Sequence, residues 1–198
     1  TARRGLNGQH VGTQSAAMAI SGFVPPRIAN TELYKGVSWS EATDVNLARF
    51  GGGGVGTQTA ALFFGGSSAN PSPENPGFTR ENKNESWNGL VWTEVGDLNT
   101  GRSDTSGAGV NNTAAICMGG KNPVSNPPGG LLALNESWNG TSWTEVNDLN
   151  TQKEQVGSFG SQTAAIAAGG SSATAILTET ESWNGTSWTE VNDLNVAK

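Results

Sequence analysis

The string ESWNGTSWTEVNDLN at 136–150 recurs letter for letter at 181–195, and looser copies stand at 85–99 (ESWNGLVWTEVGDLN) and 32–46 (ELYKGVSWSEATDVN). A second block precedes each copy: GTQSAAMAISG at 12–22, GTQTAALFFGG at 56–66, NNTAAICMGG at 111–120 and SQTAAIAAGG at 161–170. A chain built from four such units folds as a stack of like elements, because one unit cannot bury its apolar surface alone. The second aromatic of each copy falls at 39, 92, 143 and 188, close to the period of a four-stranded unit. From that Trp to the end of the next block the distance is 27, 28 and 27 residues, whereas 11, 20, 17 and 12 residues separate each Gly or Ser-Gly pair from the next aromatic. A constant scaffold therefore carries variable loops on one side.

Four strands fit each unit. Gly-rich stretches such as 50–56 and 156–160 read as a first strand at a crowded axis. TAALFF, TAAICM and TAAIAA read as a second strand buried on both faces. ESW and SWTEV read as the third and fourth, joined by Asn-Gly at 88–89, 139–140 and 184–185, with Lys35-Gly36 in the first unit. Asn-Gly is a strong hairpin signal because both central residues of that turn need positive φ. No window carries a long 3.6-residue apolar period, so the expected fold is all-β. One domain over 1–198 is expected, with units of about 1–46, 47–99, 100–150 and 151–195. The chain lacks a starting Met, so a fragment of something longer is expected.

Composition narrows the partners. Eleven Lys and Arg against 17 Asp and Glu give a net charge of -6, the wrong sign for counterion release from nucleic acid. No run of ~18 apolar residues suggests membrane insertion. Cys117 is the one cysteine, so a disulfide scaffold is excluded.

Seven Trp and Tyr34 fill two aromatic slots in each of the four units: Tyr34 with Trp39, Trp87 with Trp92, Trp138 with Trp143, and Trp183 with Trp188. Aromatics in the repeated part of a unit are expected to pack between neighbours, each burying ~150–250 Å². The recurring Asp44, Asp97, Asp148 and Asp193 read as turn or cap acceptors. The sequons at Asn84, Asn111, Asn135, Asn139 and Asn184 read as products of duplication rather than glycan sites.

The pattern resembles the kelch repeat in all four units. Gly65-Gly66, Gly119-Gly120 and Gly169-Gly170 match its double glycine; Tyr34, Trp87, Trp138 and Trp183 its aromatic; Trp39, Trp92, Trp143 and Trp188 its Trp; and Arg49, Arg102 and Lys153 its basic position. The departures are Ser21-Gly22 in the first unit and Trp for Tyr in the later ones. The resemblance implies a kelch-like β-propeller of four-stranded antiparallel blades, and it says little of function, since such folds serve as enzymes, adaptors and binders. The wording of the repeat is similar to arrays in structural proteins of marine tailed bacteriophages. That likeness implies a virion tail, fibre or decoration component, with other virion proteins or a host surface receptor or glycan as partners. A secreted or cell-surface lectin-like adhesin of a bacterium is the alternative.

Enzymatic readings find little support. A galactose-oxidase-like copper site needs two Tyr, two His and a Cys, and this chain has one of each. A sialidase-like site needs clustered Arg and a Tyr nucleophile, whereas the Arg are scattered along this sequence. His10 lies in a Gly-rich strand, GGGG at 51–54 is followed by no helix and Lys, and Cys and His show no metal spacing. No catalytic residue, metal or cofactor is expected. Candidate binding residues are the unrepeated Phe23, Arg27, Phe78, Arg80, Lys83 and Lys121, in or beside the loops 23–33, 67–84, 121–135 and 171–180 that hold all eight Pro. The ends share one register, NVAK at 195–198 matching NTGR at 99–102. Each unit should therefore take its strands from one contiguous stretch, and a closed four-unit disc would bring Thr1 beside Lys198.

Overall fold

A computed structural model of the chain describes residues 3–6, 9–68, 79–122 and 130–197. Thr1, Lys198, Phe78 and the prolines at 71, 73, 76, 123, 127 and 128 lie outside the described residues. The fold is all-β and propeller-like. Unit 1 contains β1 (Gln9–Thr13), β2 (Ala16–Phe23), β3 (Arg27–Tyr34) and β4 (Trp39–Ala42). After β5 (Arg49–Phe50), unit 2 contains β6 (Gly53–Thr57), β7 (Ala60–Phe64), the short β8 (Ser67–Ser68) and β9 (Thr79–Arg80), then β10 (Asn84–Trp87) and β11 (Trp92–Val95). Unit 3 is β12 (Ser106–Asn111), β13 (Ala114–Met118), β14 (Asn135–Trp138) and β15 (Trp143–Val146), and unit 4 is β16 (Gly157–Ser161), β17 (Ala164–Ala168), β18 (Thr180–Trp183) and β19 (Trp188–Val191).

Each unit is an antiparallel meander from one contiguous stretch. β1 also pairs in parallel with β6, so units 1 and 2 join into one eight-stranded sheet, while units 3 and 4 form separate four-stranded sheets and β5, β8 and β9 a small three-stranded one. The innermost strands β1, β6, β12 and β16 lie side by side in chain order. Glycine is required there by proximity: a Cβ on Gly53 would meet Phe64 Cε2 at 2.3 Å, and one on Gly107 would meet Phe64 Cζ at 2.5 Å.

The double glycine ends the second strand because both residues turn left-handed. Gly65 and Gly66 have φ of 65° and 99°, values open to glycine at no steric cost. In unit 1 Ser21 takes the same turn at φ 58°. Its hydroxyl bonds the Ile28 and Arg49 carbonyls and accepts the Arg49 N–H.

Three interfaces of one design hold the units together. Val11, Met18 and Ile20 of unit 1 meet Ala61, Phe63, Trp87 and Trp92 of unit 2. Val55, Leu62, Phe64 and Leu98 of unit 2 meet Ala115, Cys117, Trp138 and Trp143 of unit 3. Ala108, Ile116, Met118 and Leu149 of unit 3 meet Ala165, Ala167, Trp183 and Trp188 of unit 4. The two aromatics of each slot pair stack across the hairpin with centroids 5.3–5.4 Å apart.

A buried ion pair sits at each interface. The basic residue in the segment that leads into a unit meets the Glu on that unit's third strand: Arg49 with Glu85 (2.5 Å), Arg102 with Glu136 (2.5 Å) and Lys153 with Glu181 (2.8 Å). The second oxygen of each carboxylate accepts two bonds from the Asn three residues before the cation, Asn46, Asn99 or Asn150, at 2.7–2.9 Å. These partners offset the cost of placing charges where water cannot reach them.

Among the described residues no such cluster joins unit 4 to unit 1. Trp39, in the slot where Trp92, Trp143 and Trp188 are buried, is 49% exposed, and Phe159, in the slot of buried Val11, Val55 and Ala108, is 63% exposed. The axis repeats the gap. Gly5, Gly51, Asp104 and Gln155 occupy matching left-handed positions. The Gly51 N–H donates to the Gly5 carbonyl (3.1 Å), Asp104 to Gly51 (2.6 Å) and Gln155 to Asp104 (2.9 Å). No bond from Gly5 back to Gln155 completes the series among the described residues.

Candidate ligand cleft on the loop face

Beyond each double glycine the chain adds a second tier. The residue after the basic position pairs with a residue past the glycines, which pairs with one further on: Arg4 with Phe23 and Arg27, Phe50 with Ser67 and Arg80, Ser103 with Lys121 and Leu131, Glu154 with Ser171 and Ile176. These positions are structurally equivalent in all four units, yet they vary more than the scaffold beneath: Arg27 matches Arg80 and Ser67 matches Ser171, while the other residues differ from unit to unit.

The tiers of units 1 to 3 surround a cleft of about 620 Å³ at the axis. Unit 1 contributes Arg4, Phe23 and Arg27, the second tier Phe50, Ser67 and Arg80, and the third Ser103 and Lys121, with Gly5, Asp104 and Gln155 beside them. Arg4, Arg27 and Arg80, scattered along the sequence, thus line one cleft. Arg27 Nε donates to the Ser67 carbonyl at 2.9 Å, and its guanidinium lies 5.1 Å from the Phe50 ring centroid. The Arg4 guanidinium lies 4.7 Å from the Phe23 centroid, and the two phenyl rings are 5.6 Å apart. Arg80 Nε donates to Ser103 Oγ at 3.0 Å. Lys121 is shared by Asp104 (3.1 Å) and Glu154 (2.6 Å).

Burial lowers the proton affinity of Arg27 and of Arg80, the latter opposed by Asp104 and Glu154. An arginine nonetheless stays charged across the physiological range. For Lys121 burial also acts downward, but its bonds to Glu154 and Asp104 outweigh it and the net direction is up.

Four of the sequence candidates, Phe23, Arg27, Arg80 and Lys121, therefore line one cleft. Lys83 does not: its ammonium bridges Glu94 (2.6 Å) and Asp97 (3.1 Å). It belongs to the outer end of its own sheet because its residue directly precedes β10, away from the tier. Phe78 is outside the described residues. Sequence reasoning missed Arg4, Phe50, Ser103, Asp104 and Gln155. The usable signal was register, since all five fall one or two residues after the basic slot of a unit.

Other singled-out residues serve elsewhere. His10 sits on β1, its ring 5.9 Å from Phe159, and burial lowers its proton affinity. Gly53 and Gly54 are part of β6. Asp44, Asp97 and Asp193 accept from side chains that lead into the third strand, Asn30 (3.5 Å), Lys83 (3.1 Å) and Thr178 (3.3 Å). Asn84 and Asn135 are fully buried and donate to the Gly96 and Asn147 carbonyls, which leaves no room for a glycan. Cys117 is fully buried in the interface of units 2 and 3, and desolvation raises its thiol to about 11. Thiolate is the reactive form, so the folded chain should resist iodoacetamide at neutral pH and react once denatured. Native-state labelling at the rate of a free thiol, read by intact mass, would show this interface to be open.

No family model matches the chain, and no curated protein matches it in sequence.

Proposed function

We propose that the chain is a non-enzymatic binding module, a kelch-like β-propeller array of a phage virion, acting through the face that carries the second tier. One observation carries the binding reading: tier residues that mostly differ from unit to unit meet in a single cleft. Residues with a purely architectural role follow the repeat, as the Arg49, Arg102 and Lys153 ion pairs do. Individual residues at equivalent positions are what a specific contact needs, and a rigid scaffold presents them with little conformational entropy to lose.

The virion setting rests on the similarity of the repeat wording to phage structural arrays, and the partner there is a host surface receptor, a glycan or a neighbouring virion protein. The cleft, sized for a small ligand, equally suits a lectin-like adhesin on a bacterial surface. Immunogold labelling of negatively stained lysates with an antibody against this chain separates the two. Gold on tails or fibres of particles is expected, and gold confined to cell envelopes or secreted material would overturn the virion assignment.

A further inference from the structure

We infer that the cleft binds a saccharide bearing an oxyanion, whether a uronic acid or a phosphorylated or sulfated sugar. This rests on reading the tier as the binding face. Charge is the first argument. Arg4, Arg27, Arg80 and Lys121 line the cleft with Asp104 as the carboxylate among its lining residues, and Lys121 is already held by Asp104 and Glu154. The arginines set the local field in a chain of net charge -6. A positive cleft on a negative protein draws anions to that one place.

Organisation is the second argument. Arg27 is fixed by its Nε bond to Ser67 and by the Phe50 ring, and Arg4 lies over Phe23. A guanidinium held in this way still presents its terminal N–H groups as a planar fork, which matches two oxygens of a carboxylate, phosphate or sulfate. Holding the side chains before the ligand arrives reduces the entropy lost on binding.

Size and the neutral wall give the third. About 620 Å³ exceeds what a bare ion fills. The exposed Gln155 offers an amide group beside Phe23 and Phe50, the mixture that a sugar ring with its hydroxyls and C–H face requires, while Ser103 Oγ is held between Arg80 and Asp104. An acidic peptide would dock by strand addition at the outer strands β5 and β9 of the small sheet, an outcome that the hexaglutamate control below reads.

The test is calorimetric titration of the whole chain at low ionic strength with trigalacturonate, mannose 6-phosphate and a sulfated heparin disaccharide, with maltotriose, inorganic phosphate and hexaglutamate as controls. At least one acidic sugar is expected to bind at one site per chain and to weaken as salt is raised. Arg27→Gln should reduce that affinity roughly tenfold or more, as expected for loss of a charge-assisted bidentate contact. Arg4→Gln, at an exposed side chain, supplies a variant whose folding is not at issue and should also weaken binding. The proposal fails if no acidic sugar binds at about 10 mM, a threshold already weaker than millimolar affinity. It fails equally if maltotriose binds as well as the acidic sugars, if phosphate matches mannose 6-phosphate, or if hexaglutamate binds more tightly than any sugar. Because the virion assignment is read by particle labelling, either reading can fail while the other stands.

Discussion

Replacing Arg102 by Ala is expected to destabilise the chain by about 3–5 kcal/mol, the range for breaking a buried pair by removing one partner. The guanidinium is fully buried and does four things at once. Nε donates to the Thr100 carbonyl, one terminal nitrogen to the Gly119 and Leu134 carbonyls, and the other to Glu136 at 2.5 Å. Truncation leaves the Glu136 carboxylate in the interface with only the Asn99 and Thr100 donors around it. Adding Glu136→Gln to Arg102→Ala should therefore recover part of the loss in urea unfolding, because the stranded charge is removed. If the double variant is no more stable than the single one, the loss comes from the carbonyl bonds and not from the unpaired carboxylate. The matching pair in unit 1, Arg3 with Glu32 at 2.7 Å, has a Glu side chain 22% exposed. Truncating Glu32 should cost less than truncating Glu136, because water reaches its carboxylate while Arg3, 5% exposed, keeps its bonds to the Ser21 and Asn30 carbonyls.

Two tryptophans in the same repeat slot should behave as opposites. Trp143 is 5% exposed, its ring 5.0 Å from Phe64 of the preceding unit, and Trp143→Ala should cost about 3–5 kcal/mol through lost burial and the cavity left behind. Trp39, 49% exposed, has no preceding unit over it among the described residues. Trp39→Ala should change stability by no more than about 1 kcal/mol, the usual span for exposed positions. Thermal or urea unfolding of the two variants in parallel decides the matter. Equal losses would mean that something covers Trp39 in solution.

The scaffold could be read in the sequence because its requirements are local and repeated four times. Asn-Gly fixes a turn by φ alone, the double glycine marks two successive left-handed residues, and the Gly run of β6 marks an approach too close for a Cβ. The cleft was only half legible, and for a corresponding reason. Phe23, Arg27, Arg80 and Lys121 stood out as unrepeated residues near variable loops. Arg4, Phe50 and Asp104 sit beside repeated basic residues and looked like part of the copied string, although the tier turns them to the axis. Lys83 was misplaced because sequence variability cannot distinguish a residue facing the axis from one paired with carboxylates on its own sheet. The third-strand Glu was visible in every copy as the first letter of ESW or ELY. Its partner lies roughly 30 residues upstream or more, at Arg49 for Glu85 and Arg102 for Glu136, a separation that no local pattern announces.

The sameness of the three interfaces bears on how such a chain changes over generations. Each junction joins the leading side of one unit to the trailing side of the next, so any unit can follow any other without new chemistry. Unequal crossing-over between the identical strings at 136–150 and 181–195 would delete or insert 45 residues and leave every remaining junction of the same kind. Of the cleft lining only Gln155 lies in the segment so moved, so such an event would alter the rim of the cleft while the ion pairs, paired tryptophans and left-handed turns of the other units are inherited unchanged. The loop tier of this architecture can diversify by shuffling whole units, without the succession of destabilised intermediates that point substitution in a packed interface would impose.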